Sequence, residues 1–183
     1  MNLGDIAQIG AGNSAPQDEA LFANGKHPFC RTADVGRAHI SARFSEIADR
    51  LNDDGIKGMK LHRKNTILFP KSGASTFLNH RVMLAVDSYV SAHLATIYAD
   101  TEKVLPDFLF NLLISVDAKN LTSNQNYPSL RLSEIASIQI PLPPLDVQAR
   151  LVAETKKEEE IIAANRGLIG LMDAKINQVI SEI

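Results

Sequence analysis

The sequence predicts an α+β domain followed by one long C-terminal helix, and three observations carry the prediction. Short β-rich runs and helical segments interleave over residues 1–140 without a regular βαβ period, the pattern of an α+β domain rather than a doubly wound sheet. The stretch IQIPLPPLDVQARLV (138–152) places three prolines, Pro141, Pro143 and Pro144, just ahead of a helix-forming run. Proline fixes φ and donates no backbone hydrogen bond, so this segment ends a strand at Ile140 and turns a rigid corner that aims the following helix away from a compact body. Beyond the corner, Ile162, Ile169, Ile176 and Ile183 recur every seventh residue, with Asn165, Met172 and Val179 three positions after the first three. That is an a/d heptad seam with β-branched a positions.

The elements follow in chain order. LGDIAQI (3–9) reads as a helical turn or strand start, and GAGNSAP (10–16) as a loop. Gly10, Gly12 and Ala15 mimic a dinucleotide fingerprint, but Asn13, Ser14 and Pro16 prolong the loop where that fingerprint needs a helix to begin. HPFCRTADV (27–35) reads as a strand ending in a polar bend. Phe44, Ile47, Ala48 and Leu51 are at helical spacing, which predicts a helix over 41–51 closed by the turn NDDG. NTILFPKSGAST (65–76) is a β-rich run broken by Pro70 and a small-residue loop, without the residue order of a phosphate-binding P-loop. RVMLAVDSYVSAHLATIYA (81–99) reads as two strands joined by a bend at Asp87 and Ser88. PDFLFNLLISV (106–116) has a proline where helices start and Phe108, Leu109, Leu112 and Leu113 on one face, so it is a buried helix.

The last helix, capped by Asp146, spans about 57 Å at ~1.5 Å per residue if it runs to the end. Gly167 and Gly170 fall on its outer face. Each costs about 1 kcal/mol relative to alanine, so packing against a partner is expected to hold the helix together.

Composition narrows the function. No apolar run approaches the ~20 residues of a membrane span, and Met1 is followed by no signal-like segment, so the expectation is a cytoplasmic protein with no membrane partner. The single cysteine, Cys30, excludes an internal disulfide and a multi-cysteine zinc site, and it reads as a core residue. Five histidines without i, i+4 pairing make a metal site unexpected. The net charge is −2, yet no acid falls between Asp54 and Asp87, where Lys57, Lys60, Arg63, Lys64, Lys71 and Arg81 lie with His62 and His80. A one-signed window of this length creates a local positive field. If DNA binds, it binds there. No adenine-methylase motif of the [DN]-P-P-[YF] type and no nuclease-like carboxylate cluster is present.

The order of these pieces resembles the specificity subunit of type I restriction-modification systems. The resemblance is carried by LGDIAQIGAGNSAP at the start, PFCRTADVG (28–36), LHRKNTILFPKSGAS (61–75), PDFLFNLL (106–113) and above all NYPSLRLSEIASIQIPLPPLDVQARLV (126–152). It implies a DNA target recognition domain over 1–145, built on a mixed, twisted β-sheet with flanking helices, and a spacer helix over 146–183 that forms an antiparallel coiled coil. That family's usual subunit has two of each; this sequence has one of each.

The resemblance further implies a non-catalytic subunit that reads one half of a bipartite site in double-stranded DNA. It would dock adenine methyltransferase subunits, which carry the S-adenosylmethionine, and through them the restriction subunit. No cofactor is expected on this chain. Lys57, Lys60, Arg63, Lys64, Lys71 and Arg81 are the phosphate candidates. Ser72, Thr76, Asn79, His80, Asn124, Gln125 and Asn126 are the base-edge candidates, since asparagine and glutamine can pair bidentately with adenine, and Tyr127 could stack. Ile162, Asn165, Ile169, Met172, Ile176, Val179 and Ile183 form the expected homodimer seam. Two other classes compete. One is a protein-interaction adaptor with a coiled-coil arm and no DNA, which the net charge favours. The other is an enzyme using Cys30 and a histidine, which no local motif supports.

Overall fold

The computed structural model describes residues 1–39, 43–121 and 129–182. It divides into two compact units, Met1–Pro143 and Pro144–Ile183.

Among its described residues the first unit holds seven strands, β1 (Ala7–Ala11), β2 (His27–Cys30), β3 (Asp49–Leu51), β4 (Ile67–Pro70), β5 (Val82–Met83), β6 (Tyr89–Val90) and β7 (Leu94–Ala99). Three helices accompany them, α1 (Thr32–Ala38), α2 (Pro106–Ile114) and α3 (Leu132–Ala136). The strands form two sheets. One is antiparallel with order β1-β7-β4-β5; the other, β3-β2-β6, is mixed, because β2 runs antiparallel to β3 and parallel to β6. In the larger sheet Gln8 faces Tyr98 and Gly10 faces Thr96 across the β1–β7 ladder. Cys30, Val35, Phe44, Leu68, Val82 and Val90 share one core cluster drawn from both sheets. A smaller cluster joins Phe29, Leu51 and Tyr89.

Gly12 explains why the glycine motif at the start is not a nucleotide loop. A Cβ there would lie 2.0 Å from the Val90 carbonyl oxygen, and the next amide, Asn13 N–H, donates to that same oxygen at 2.8 Å. The glycine lets two backbones meet, and no helix follows it. At the far end of the unit the chain returns to its beginning: the Met1 ammonium donates to Ile140 O at 3.1 Å, and Ile140 N–H donates to Met1 O at 2.9 Å.

Five expectations are corrected. No strand closes at Ile140, where the chain makes only an isolated antiparallel bridge between Gln139 and Asn2. The helix expected over 41–51 is not formed among its described residues. Phe44 instead runs extended beside β5, its N–H donating to Met83 O and its C=O accepting from Ala85 N–H, both at 2.9 Å, and Asp49–Leu51 is a strand. The 3–4 spacing there reflects side chains reaching the core from an irregular segment. The polar bend after β2 is helix α1: Asp34, three residues into it, accepts from Arg31 N–H at 2.8 Å and ties down its start. Residues 81–99 form three strands in two sheets rather than two strands. Finally, the long helix α4 (Leu145–Ser181) follows Pro144 directly, with no side-chain cap, and Asp146 lies in its first turn, where a carboxylate favours the positive helix end.

Helix α2 begins at Pro106 and buries Phe108, Leu109, Phe110 and Leu113. In the second unit α4 leaves Ile162, Ile169, Met172, Ile176 and Val179 exposed, each at 49% or more of its full accessible surface. Nothing lies within 4 Å of a Cβ built at Gly167 or Gly170.

Candidate nucleic-acid interface

The outward face of the β1–β7 ladder is small and polar. Gln8 and Gly10 alternate along β1 with Thr96 and Tyr98 opposite, and they floor a concavity of about 330 Å³. Its wall is the segment Lys60–Arg63 with Thr66. This segment is held on both sides: Lys60 N–H donates to Asn13 Oδ1 at 3.0 Å, and His62 exchanges backbone hydrogen bonds with Ser88 at 2.9 and 2.8 Å. The Lys60 and Arg63 side chains are therefore presented from a fixed backbone. His62 is 5% exposed and its Nε2 has no hydrogen-bond partner among the described residues. Burial first, and then the Lys60 ammonium, push its imidazole down to about 4, so the ring is neutral at pH 7.

The six cations of the acid-free window do not act alike. Lys57 pairs with Asp54 at 2.6 Å. Arg81 is fully buried, donating to His80 O at 2.8 Å and Val116 O at 3.4 Å, with its guanidinium carbon 3.2 Å from the Phe69 ring centre. Burial pushes this guanidinium down to about 9, partly opposed by Asp117, and it remains charged at pH 7. It cannot reach a phosphate, so its place among the phosphate candidates is corrected to that of a core residue. Lys60, Arg63, Lys64 and Lys71 have no ion pair among the described residues.

The residues 1–169 match the family model described as the type I restriction modification DNA specificity domain. The chain belongs to this family. The specificity subunit of the type I restriction enzyme MjaIX from Methanocaldococcus jannaschii is 30% identical over 147 residues, covering 78% of this chain and 33% of that protein. A structure from a study of complex assembly and conformational transition of the type I R-M system superposes with a TM-score of 0.75 at 18% identity, over 98% of this chain and 42% of that one. The HsdS subunit from Thermoanaerobacter tengcongensis does so with 0.68 at 20% identity, over 90% and 38%. The chain thus spans about a third of the length of its curated relative, and the likeness to the solved structures is one of fold.

Within the specificity domain the polar base-edge candidates divide in the same way as the cations. Thr76 is fully buried and is corrected to an interior residue. Asn79 is spent on the fold: its amide donates to Asp117 Oδ1 at 3.0 Å and accepts from Ala118 N–H at 2.8 Å, from a left-handed backbone (φ 55°). His80 stacks on His39 with ring centres 4.4 Å apart, and burial, then His39 and Arg81, lower its basicity. Ser72 Oγ and His93 Nδ1 are 2.7 Å apart, so Ser72 is partnered but half-exposed. Asn124, Gln125, Asn126, Tyr127 and the seam residue Ile183 lie outside the described residues. Burial pushes the Cys30 thiol well up, which removes the basis for using it as a nucleophile.

Sequence reasoning missed Gln8, Thr96 and Tyr98. The signal available was the alternation in AQIGA, where small or polar Gln8 and Gly10 interleave with apolar residues. The pairing of Gln8 with a residue ninety positions away is not written locally.

Proposed function

We propose that this chain serves type I specificity, with the Met1–Pro143 unit reading one half of a split DNA site and α4 pairing with a second copy. On this reading it performs no chemistry. It docks adenine methyltransferase subunits, and through them the restriction subunit, in the cytoplasm. The observation that carries the reading is the family match, which runs through the first unit and into α4 as far as residue 169. The exposed, unpaired cations of the acid-free window support it, since phosphate contacts supply most of the affinity of such proteins.

The seam of α4 favours an antiparallel homodimer. With the two-fold axis between Gly170 and Leu171, each a position meets a d position: Ile162 the partner's Val179, Asn165 the partner's Ile176, and Ile169 the partner's Met172. The same register sets Arg166 near the partner's Asp173, twice by symmetry. A parallel pair sets Arg166 against the apolar partner's Ile161 and Lys175 against the partner's Ile180, with no such ion pair.

The test is the molecular mass in solution, alone and with the methyltransferase encoded beside it, followed by mapping of methylated adenines. The expected result is a dimer that joins the methyltransferase and marks an inverted repeat with a fixed gap. A monomer that yields no methylated motif refutes the reading. Replacement of Ile169 or Ile176 by aspartate is expected to abolish the dimer and leave the first unit folded; a variant that still sediments as a dimer refutes the seam. For orientation, Asn165→Cys with Ile176→Cys is expected to form an interchain disulfide while Asn165→Cys alone does not, and cross-linking by the single variant would establish the parallel pair.

A further inference from the structure

The concavity over β1 and β7 collects side chains that can all donate hydrogen bonds and that the fold leaves unused. No hydrogen bond or ion pair to another described residue is made by the side chains of Gln8, Lys60, Arg63, Thr96 or Tyr98, and His62 adds a buried ring nitrogen without a partner. No acid lines the site. Several polar side chains elsewhere in this unit are spent: Asn79 is used in both directions, Arg31 and Arg43 are paired with Asp49 and Asp107, and Asn52 donates to Ala20 O at 2.9 Å. Two unpaired cations and several unpartnered donors converging on one dent are therefore not a solvated face of ordinary kind.

The floor is shaped to match. A Cβ at Gly10 would stand 3.0 Å from Thr96 Oγ1 and 4.0 Å from Lys60 Nζ. Glycine there leaves the space between the ammonium and the sheet open to a ligand. The lining favours an anionic ligand, because it holds two cations and no acid. A phosphodiester carries a negative charge and offers acceptors to every donor present, whereas a base edge is neutral.

We propose that this concavity seats one backbone phosphate of the DNA, with Lys60 and Arg63 supplying charge and Gln8, Thr96 and Tyr98 supplying neutral donors, and that it sets the position of the domain on the duplex without reading sequence. The inference rests on the DNA-recognition reading and deepens it. Phosphate contacts fix register and carry no base information, so loss of this site weakens every sequence alike.

The experiment is a salt titration of the full chain against a randomised duplex pool and against a duplex carrying the motif that the methyltransferase marks in its presence, for the wild type, Lys60→Met/Arg63→Met and the milder Gln8→Ala/Tyr98→Phe, with thermal melts confirming that each is folded. A parallel titration uses inorganic phosphate, followed by the resonances of Gly10 and Tyr98. The expected result for the double cation variant is a loss of about tenfold or more on both duplexes, with the slope of log affinity against log salt shallower by about 0.9, one phosphate's worth, and an unchanged methylated motif. The neutral variant is expected to lose about fivefold with little change in slope. Wild-type affinity and slope in both variants, while the wild type binds DNA, overturn the inference and leave the DNA reading standing. Absence of DNA binding by the wild type, with phosphate still shifting Gly10 and Tyr98, overturns DNA as the source of the phosphate and the DNA reading with it. A changed methylated motif in the cation variant overturns the claim that the site reads no sequence.

Discussion

Replacing His62 by glutamine should change how stability depends on pH, by an amount the structure sets. The ring is 5% exposed and held neutral, its basicity lowered from 6.5 to about 4, chiefly by burial. An unfolded chain protonates this ring as pH falls through 6.5, whereas the folded one resists down to about 4. The unfolded state therefore binds more protons in that window, and folding stability must fall as pH falls. The stability that the neutral ring allows is complete above pH 6.5 and lost progressively between 6.5 and 4. At about 1.4 kcal/mol per pH unit the loss is about 3 kcal/mol. Glutamine does not titrate. At pH 7 the variant should be less stable than the wild type by about 1 kcal/mol for lost packing, and by pH 4 it should be the more stable of the two by about 2 kcal/mol. Urea denaturation of both proteins at pH 7, 5.5 and 4 measures the difference directly, and carboxylates that titrate at lower pH cancel between them. Parallel stability profiles for the two proteins would refute the argument and mean that the ring is solvated in the folded state.

Three further outcomes are expected. Arg81→Ala should destabilise the first unit by about 3–5 kcal/mol in urea melts, because it empties the space over Phe69 and strands the carbonyls of His80 and Val116, whereas Arg81→Met should cost about 1–2 kcal/mol by keeping the stem and removing a desolvated charge; equal costs would count against the packing account. Gly12→Ala should cost more than about 3 kcal/mol or prevent folding, since its Cβ would lie 2.0 Å from the Val90 carbonyl oxygen and could be admitted only by parting two backbones. The same substitution at Gly167 or Gly170, where nothing lies within 4 Å, should raise the stability of α4 by about 1 kcal/mol each, seen as a higher melting temperature by circular dichroism.

What the sequence discloses is what local chemistry decides. Pro106 opens α2 at the position where its missing N–H costs nothing, and the heptad over 162–179 lies in a continuous helix. Gly12 was legible as a glycine that no helix follows, though not as the contact with Val90 that requires it. The failure over 41–51 arises because burial comes from the whole fold. Phe44, Ile47 and Leu51 satisfy a helical period, but each is buried from an extended or irregular backbone, Phe44 beside β5 and Leu51 within β3. Thr32, Ala33 and Asp34 resemble a bend until Asp34 closes on Arg31 N–H. The site shows the same division. Lys60 and Arg63 announce themselves by charge, whereas Gln8 and Tyr98 become neighbours only through the β1–β7 ladder.

The overall charge is a poor guide to what this protein touches, and its distribution explains why. Residues 1–143 carry fourteen Lys and Arg against fourteen Asp and Glu, while residues 144–183 carry five against seven, so the whole excess of −2 belongs to the helix. Within the balanced first unit six of the fourteen acids are ion-paired: Asp34 with Arg37, Asp49 with Arg31, Asp53 with His27, Asp54 with Lys57, Asp100 with Lys103 and Asp107 with Arg43. Five of these pairs cancel an arginine or lysine locally and leave the field to charges that have no ion pair among the described residues. Lys60, Arg63, Lys64 and Lys71 are of that kind and fall within twelve residues of one another. At physiological salt, fields beyond about 8 Å are screened. A phosphate at the concavity, whose lining holds no acid, therefore responds most to Lys60 and Arg63 beside it. The net negative charge, which taken alone argues for an adaptor that avoids DNA, thus weighs little against a local cationic site.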